Sequence, residues 1–244
     1  MTYGVAIKVN DGLVFASDSR SNAGVDHVSV YSKMHVFTPR PEGPVFVLLT
    51  AGNLATSQAV VNQLQRDLDD PDCEVRLDRV QHLFDAAQYV GDISRRVQDR
   101  YADALKCSGA EVAATFILGG QLPGQNPDVY MIYAEGNYIS ASAETPYLQI
   151  GETKYGKPIL DRIVTPATAL EDAARCALVS LDSTTRSNIS VGPPFELAIY
   201  RRDEQRIGHY LNLGLQSPLY VTIGKRWNEG LRRAFERLPR FDWE

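Results

Sequence analysis

The chain has 244 residues, with 25 lysines and arginines against 30 aspartates and glutamates, and a formal net charge of -5. Hydrophobic residues make up 44% and charged residues 23%, a globular composition that excludes collagen-like, coiled-coil and wholly disordered chains. The mildly acidic balance argues against a dedicated nucleic-acid binder and against binding to anionic membranes.

Hydrophobic periodicity and turn signals predict alternating clusters of strands and helices. The chain opens with β-forming residues on both sides of Asn10-Asp11-Gly12, which predicts a hairpin, followed by a loop over 19–32. An apolar run from Val45 to Leu49 predicts a buried strand that ends at Thr50-Ala51-Gly52. Further strands are predicted over 33–37, 111–118, 127–135, 137–141, 147–151, 195–201 and 205–210. Helices are predicted over about 53–69, 78–106, 154–163, 167–183 and 225–237.

This order predicts an α+β fold in which sheets pack against helical layers. The sequence has no long linker or break in composition, so we expect a single domain over 1–244 with a C-terminal helical extension from about 225. The basic residues of that extension interleave with Glu229 and Glu236, which predicts an amphipathic helix with a solvated face.

The cysteines and histidines predict neither a disulfide scaffold nor a metal centre. Cys73, Cys107 and Cys176 are far apart and form no CxxC pair, which suits free thiols in a reducing cytosol. The four histidines have no metal-ligand spacing, so we expect no metal and no cofactor. The chain has no 18-residue apolar stretch and no signal-peptide pattern at its start, so we expect a cytoplasmic protein without a membrane span.

One segment is similar to a phosphate-binding loop. Gly151 to Lys157 fits GxxxxGK, but Pro158 stands where the motif needs a hydroxyl for Mg²⁺. We therefore interpret the segment as a strand-to-helix turn with an early proline.

The first residues carry the more specific pattern. Because residue 2 is small, we expect an aminopeptidase to remove Met1, which leaves Thr2 with a free amine beside its hydroxyl. That amine can serve as the base that activates the hydroxyl, since its reference pKa is about 7.7–8.0. Lys33 would lower this pKa, and Asp18 could supply the anion that Lys33 needs. The N–H of Gly52, just before a predicted helix, is a suitable donor for an oxyanion.

Each of these residues also has an ordinary interpretation, as an ion pair or a surface lysine, but their order is specific. It resembles the proteasome β-type subunits of the N-terminal nucleophile hydrolase superfamily. These proteins start at a catalytic threonine, followed by Asp-x-Arg, a lysine and Thr-Ala-Gly. Thr2, Asp18, Arg20 and Gly24 keep the family spacing, and Lys33 comes one residue early.

Within that superfamily the chain most resembles the bacterial Anbu (ancestral β subunit) group, over nearly its whole length. The segments that carry this likeness are Met1-Thr2-Tyr3, Phe15 to Arg20, Gly24-Val25-Asp26, Gln149 to Pro158 and Asp182-Ser183-Thr184-Thr185. The resemblance implies a four-layer αββα sandwich of two antiparallel sheets and a ring-like or lock-washer homo-oligomer. It also implies a threonine-type hydrolase of peptide or amide bonds.

The resemblance also assigns residue roles. The expected catalytic residues are Thr2, Asp18, Lys33, Gly52, Asp182 and Thr185. The last two would steady the amine of the nucleophile. Supporting roles fall to Ser19, Arg20 and Glu152, where Arg20 braces the Asp18 loop and Glu152 replaces a serine of the family. Ser21, Asn22 and Thr50 are expected to line the substrate pocket.

Two alternatives remain open. The first is an inert ring scaffold, which Glu152 favours and the intact Thr2, Asp18 and Lys33 oppose. The second is a hydrolase of a non-protein amide. An ATPase or ligase-like partner is compatible with all three hypotheses.

Overall fold

The computed structural model describes residues 1–22, 28–40, 43–108 and 111–243, so the motif Gly24-Val25-Asp26 lies outside the described residues. In chain order the strands are β1 (Tyr3–Val9), β2 (Gly12–Asp18), β3 (Arg20–Asn22), β4 (Val28–Val30), β5 (Met34–Phe37), β6 (Val45–Gly52), β7 (Ala114–Gln121), β8 (Asp128–Ile132), β9 (Tyr138–Ser140), β10 (Tyr147–Gly151), β11 (Phe195–Arg201) and β12 (His209–Leu213). The helices are α1 (Leu54–Asp69), α2 (Leu83–Ser108), α3 (Lys157–Ile163), α4 (Leu170–Ser187) and α5 (Pro218–Glu236).

The strands form two large antiparallel sheets. The first has the order β10-β1-β2-β11-β12, and the second has the order β5-β6-β7-β8-β9. Strands β3 and β4 pair as a separate two-stranded ribbon between β2 and β5, in the segment predicted to be a loop. The α+β fold class is therefore confirmed.

The opening hairpin is confirmed, and its turn explains one glycine. Strands β1 and β2 pair from Gly4 with Ser17 to Val9 with Gly12. Gly12 has φ +151°, and a Cβ there would lie 2.0 Å from the carbonyl oxygen of Tyr200 on the neighbouring strand. Only glycine allows this approach of β2 to β11.

Four helices begin three or more residues from their predicted starts: α2 at Leu83 instead of 78, α3 at Lys157 instead of 154, α4 at Leu170 instead of 167 and α5 at Pro218 instead of 225. Helix α5 begins at Pro218, seven residues before the predicted start, because a proline is well suited to the first turn of a helix. Helix α3 begins at Lys157 with Gly156 at its N-cap and Pro158 in its first turn. The interpretation of Gly151 to Lys157 as a strand-to-helix turn is thus confirmed.

Alternating side chains give each large sheet two apolar faces. One cluster joins the first sheet to α3 and α4, a second joins the other sheet to α1 and α2, and a third contains residues of both sheets. Representative members are Val14 and Leu178 in the first, Leu48 and Val90 in the second, and Phe15 and Leu49 in the third.

Cys73 and Cys176 are free thiols, and the side chain of Cys107 lies outside the described residues. Across the described ranges, no helix combines the length and apolarity that a membrane crossing requires.

Candidate active site

Thr2 is held by its backbone at the start of β1 in the first sheet. It directly precedes β1 and is only 8% exposed, whereas Met1 is 63% exposed. The carbonyl oxygen of Thr2 accepts a hydrogen bond of 2.7 Å from the backbone N–H of Glu152. Gly151 has φ +80°, and a Cβ there would lie 2.0 Å from the same oxygen. The end of β10 therefore fixes Thr2, while Met1 projects into solvent.

Asp18, at the end of β2, is the centre of a buried hydrogen-bond network. Its Oδ1 accepts from the backbone N–H of Tyr3 at 3.0 Å and from the Lys33 ammonium at 2.8 Å. Its Oδ2 accepts from the backbone N–H groups of Arg20 and Gly192, each at 3.2 Å. These four donors lie in β1, on either side of the 21–32 segment, and in the loop before β11. Asp18 therefore connects four parts of the chain by hydrogen bonds.

Lys33 lies just before β5 and is almost fully buried. Its ammonium also donates a hydrogen bond of 2.5 Å to the carbonyl oxygen of Arg20, and its own carbonyl accepts from the Thr50 N–H at 2.9 Å. Burial lowers the pKa of Lys33 and the charge of Asp18 opposes that shift. Burial likewise raises the pKa of Asp18, and Lys33 opposes it. Such a pair is costly to bury, which points to a role beyond stability.

Glu152 and Asn188 form a second polar group next to Thr2. Glu152 is 6% exposed, and its Oε2 accepts a hydrogen bond of 2.9 Å from the side-chain amide of Asn188. Asn188 follows the last residue of α4, and its Oδ1 accepts from the backbone N–H of Ser190 at 2.9 Å. Glu152 thus contacts Thr2 through its backbone, while its carboxylate is held by Asn188.

Asp182 and Thr185 have hydrogen-bond partners other than Thr2. They were predicted to steady the Thr2 amine, but Asp182 is bound by Arg186 at 2.7 Å and by the hydroxyl of Tyr220 in α5 at 3.0 Å. Thr185 donates back to the carbonyl oxygen of Leu181 at 2.9 Å. Both positions lie within α4, Asp182 more than a turn before its end and Thr185 in its last turn. In the described part of the chain, neither side chain hydrogen-bonds to Thr2.

Sequence reasoning missed Asn188 and Gly192, which approach the Thr2 region from the end of α4. The signal was present in Ser187-Asn188, where a polar residue that favours turns follows the last helical residue. The match to Asp182-Ser183-Thr184-Thr185 took precedence because those residues fit the family pattern by type. Asn188, six residues after Asp182, is the residue that contacts Glu152, and residue type alone did not reveal it.

Gly52 lies at the end of β6, as predicted. Its φ is +99°, and a Cβ there would lie 2.5 Å from the carbonyl oxygen of Ala113. Asn53 caps the following helix α1, because its side chain accepts from the Thr56 N–H. Gly52 is exposed while Thr50 is buried. The end of β6, which Lys33 contacts through the N–H of Thr50, is therefore followed directly by an exposed glycine and the N-terminus of α1.

Arg20 connects the Asp18 segment to the loop after α4. Its guanidinium donates to the carbonyl oxygen of Ile189 at 2.6 Å and packs so closely on Gly192 that a Cβ there would lie 2.2 Å from the Arg20 Cζ. Ser21 pairs with Ser29 in the β3–β4 ribbon, and the side chain of Asn22 lies outside the described residues.

A buried carboxylate, Glu196, joins the two ends of the 19–32 segment. It accepts from the hydroxyl groups of Ser19 at 3.2 Å, Ser32 at 2.9 Å and Tyr210 at 2.5 Å. Glu196 is 4% exposed, and its negative charge opposes the fall in pKa that burial imposes on Lys33. Ser19 therefore contacts Glu196 rather than Thr2. Among the residues that the structure describes, no group of three or more His, Cys, Asp or Glu side chains could hold a metal ion.

Comparison with solved structures identifies close relatives. Anbu (ancestral beta-subunit) from Yersinia bercovieri is 42% identical with a TM-score of 0.92, and the match covers 99% of this chain and 100% of that one. The protein in the helical assembly of the Anbu complex from Pseudomonas aeruginosa is 44% identical with a TM-score of 0.91, covering 98% of each chain. An Anbu (Gly-1) mutant from Hyphomicrobium sp. strain MC1 is 40% identical with a TM-score of 0.90, covering 99% of this chain and 100% of that one.

No model of a protein family and no curated protein matches the chain. The two antiparallel sheets and the relatives together define a proteasome-like β-subunit fold. The chain belongs to the Anbu (ancestral beta-subunit) family, which confirms the resemblance seen in its motifs.

Proposed function

We propose that the protein is an N-terminal threonine hydrolase of peptide or amide bonds, active once removal of Met1 has freed the amine of Thr2. The observation that carries this proposal is the buried Lys33–Asp18 pair, whose carboxylate also accepts from the N–H of Tyr3, the residue after Thr2. A buried ion pair that adds little stability is expected where its electrostatic field serves a reaction.

In the proposed reaction the Thr2 hydroxyl oxygen attacks the substrate carbonyl, and the Thr2 amine takes the hydroxyl proton. The Gly52 N–H stabilises the negative oxygen of the tetrahedral intermediate. The C–N bond then breaks, the proton passes to the departing amine, and an ester on Thr2 remains. Water activated by the same amine hydrolyses this ester and restores the hydroxyl. Lys33 favours the neutral form of the amine, as the base requires.

Glu152 and Asn188 complete the site as positioning residues. Backbone donation from Glu152 fixes the Thr2 carbonyl, and Asn188 orients the Glu152 carboxylate. The negative charge of Glu152 favours the ammonium form of the Thr2 amine and so counters Lys33. Ser21, Asn22 and Thr50 remain the proposed pocket residues, and Arg20 the brace of the Asp18 segment.

We also propose the four-layer order helix, sheet, sheet, helix within one domain. Its support is that each sheet has one apolar cluster with its own pair of helices and that a third cluster contains residues of both sheets. By analogy with the helical assembly of the Pseudomonas aeruginosa relative, copies of this chain associate into a ring-like or helical homo-oligomer.

Scaffold function without catalysis is the second candidate. The observation in its favour is that Glu152, which contacts Thr2 through its backbone, has a buried carboxylate, since a carboxylate close to an amine favours the protonated form of that amine. Hydrolysis of a non-protein amide is a variant of the main proposal, and it differs only in the substrate.

An assay separates these hypotheses. Protein with a confirmed N-terminal Thr2 is incubated with a panel of fluorogenic peptides and small amides, beside Thr2→Ala and Lys33→Ala variants. Turnover of either substrate class that both substitutions abolish supports the hydrolase and identifies the substrate class. Turnover by neither the wild-type protein nor the variants contradicts it and supports the scaffold.

A further inference from the structure

Helix α5 has one apolar face, which is buried in the first half of the helix and exposed to solvent in the second half. Tyr220 and Gly224 are buried, and Trp227 packs partly against the core that includes α4. Leu231 and Phe235 continue this face at helical spacing but are 49% and 75% exposed. The helix thus extends beyond the surface that covers its apolar side.

Every residue from 230 to 243 is exposed, and we call this segment the C-terminal arm. Beyond the helix it adds Leu238, Phe241 and Trp243, which are 59%, 64% and 80% exposed, and the last two rings stack at 4.6 Å. Since an aromatic side chain buries 150–250 Å², the three aromatic residues of the arm together expose about 400 Å². That is about half of what one partner contributes to a stable interface.

The arm and the rest of the chain have opposite charges. From residue 230 to the end of the chain there are four arginines against Glu236, Asp242 and Glu244, a net charge of +1, so residues 1–229 have -6 of the total of -5. The acidic residues are densest between 67 and 74, where five of eight residues are acidic, although the guanidinium groups of Arg76 and Arg79 donate to backbone carbonyls of the same stretch. Two arms therefore repel each other, whereas an arm and the body of another copy attract.

We propose that the arm docks on the body of a second copy of this chain. The inference deepens the self-association proposed above and rests on it. An arm on one copy and a body surface on the next form a heterologous contact, which repeats from copy to copy. Such a contact produces a ring if the rotation closes and a helix if it does not. In this arrangement the exposed second half of the apolar face of α5 packs against the neighbouring copy, as the first half packs against its own chain.

The test is sedimentation velocity over a concentration series of the full chain. The test variants are the double substitution Leu231→Asp/Phe235→Asp and a chain that ends at Glu229. The matched control is Phe84→Asp, because Phe84 is also an exposed phenylalanine, with 42% of its surface accessible. The wild type and the control are expected to assemble equally. Both arm variants are expected to associate at least about 10-fold more weakly at an unchanged melting temperature, because large buried apolar anchors dominate interfaces. Arm variants that assemble as the wild type does would overturn the inference, as would equal loss in Phe84→Asp.

A mixing experiment tests the arm-on-body arrangement. A tagged Leu231→Asp/Phe235→Asp chain still has an intact body, so it is expected to co-purify with untagged wild-type protein. If it does not, while tagged and untagged wild-type chains do co-purify, contact runs from arm to arm and the inference is wrong. A wild type that stays monomeric at every concentration overturns the self-association itself, which is a distinguishable result.

Discussion

The side-chain amide of Asn188 donates a hydrogen bond of 2.9 Å to the carboxylate of Glu152, whose backbone N–H holds the carbonyl oxygen of Thr2 at 2.7 Å. These two contacts link the end of α4 to the residue proposed as the nucleophile. Glu152 is also the residue that the resemblance predicts in place of a serine of the family. The proposed chemistry therefore depends on how the opposing charges of Glu152 and Lys33 affect one amine.

A Glu152→Gln variant tests this dependence through the pH profile. Glutamine keeps the hydrogen bond to Asn188 but removes the negative charge, so the pKa of the Thr2 amine should fall. We expect the acid limb of kcat/KM to move to lower pH by about one unit. Asn188→Ala, which leaves the charge in place, should weaken activity without moving that limb. If the acid limb of Glu152→Gln is unchanged, the charge of Glu152 does not affect the pKa of the Thr2 amine and this prediction is wrong.

The Lys33–Asp18 pair predicts strong coupling in stability. Either Asp18→Asn or Lys33→Met leaves one buried group without its counter-charge, and each should lower the free energy of unfolding by about 3 kcal/mol. The double variant should lose clearly less than the sum, because no unpaired charge remains. Urea denaturation of all four proteins completes the cycle. Additive losses would show that the two side chains do not act as a pair.

Gly151 predicts a large effect of a single methyl group. In Gly151→Ala the new Cβ would lie 2.0 Å from the Thr2 carbonyl oxygen, so the end of β10 must move away from Thr2. We expect a loss of more than about 2 kcal/mol in unfolding free energy together with a loss of activity. Gly124→Ala is the matched control, since Gly124 also has a positive φ but has nothing within 4 Å of the added atom. It should lose about 1 kcal/mol and stay active.

His35 predicts part of the acid sensitivity. Burial lowers its pKa below the ordinary value of 6.5, so the unfolded chain binds this proton more readily than the folded chain. Stability should therefore fall as the pH drops below about 6.5, by at most about 1.4 kcal/mol per pH unit. The difference between the urea denaturation midpoints at pH 7.5 and at pH 5.5 should be smaller in His35→Gln than in the wild type. Exposed His82, changed to glutamine, should leave the difference as it is; a wild-type difference retained in His35→Gln would contradict the assignment.

The sequence predicted the elements that local signals define. Asn10-Asp11-Gly12 predicted the hairpin that brings the start of β1 beside Asp18, and the apolar run from Val45 predicted the strand that ends at Gly52. It missed the β3–β4 ribbon, because three-residue strands have too few residues to show a period.

The site was predictable in part. The pairing of Lys33 with Asp18 was expected from the anion that Lys33 needs and from the resemblance to proteasome β-type subunits, and the two side chains do form an ion pair. The contact of Asp182 with Tyr220 in α5 was not predicted, because the residues that α4 meets depend on long-range contacts. The hydrogen bond between Asn188 and Glu152 joins residues 36 positions apart, which periodicity within one element cannot reveal.

The most direct test of the central claim is the intact mass of the protein after incubation with a peptide epoxyketone, beside Thr2→Ala as the control. This reagent forms a stable ring only with a hydroxyl and a free amine on the same residue. We predict the mass of the chain without Met1 plus one inhibitor, and no adduct on Thr2→Ala. Protein that has lost Met1 and still forms no adduct would contradict a reactive N-terminal threonine and favour the inert scaffold.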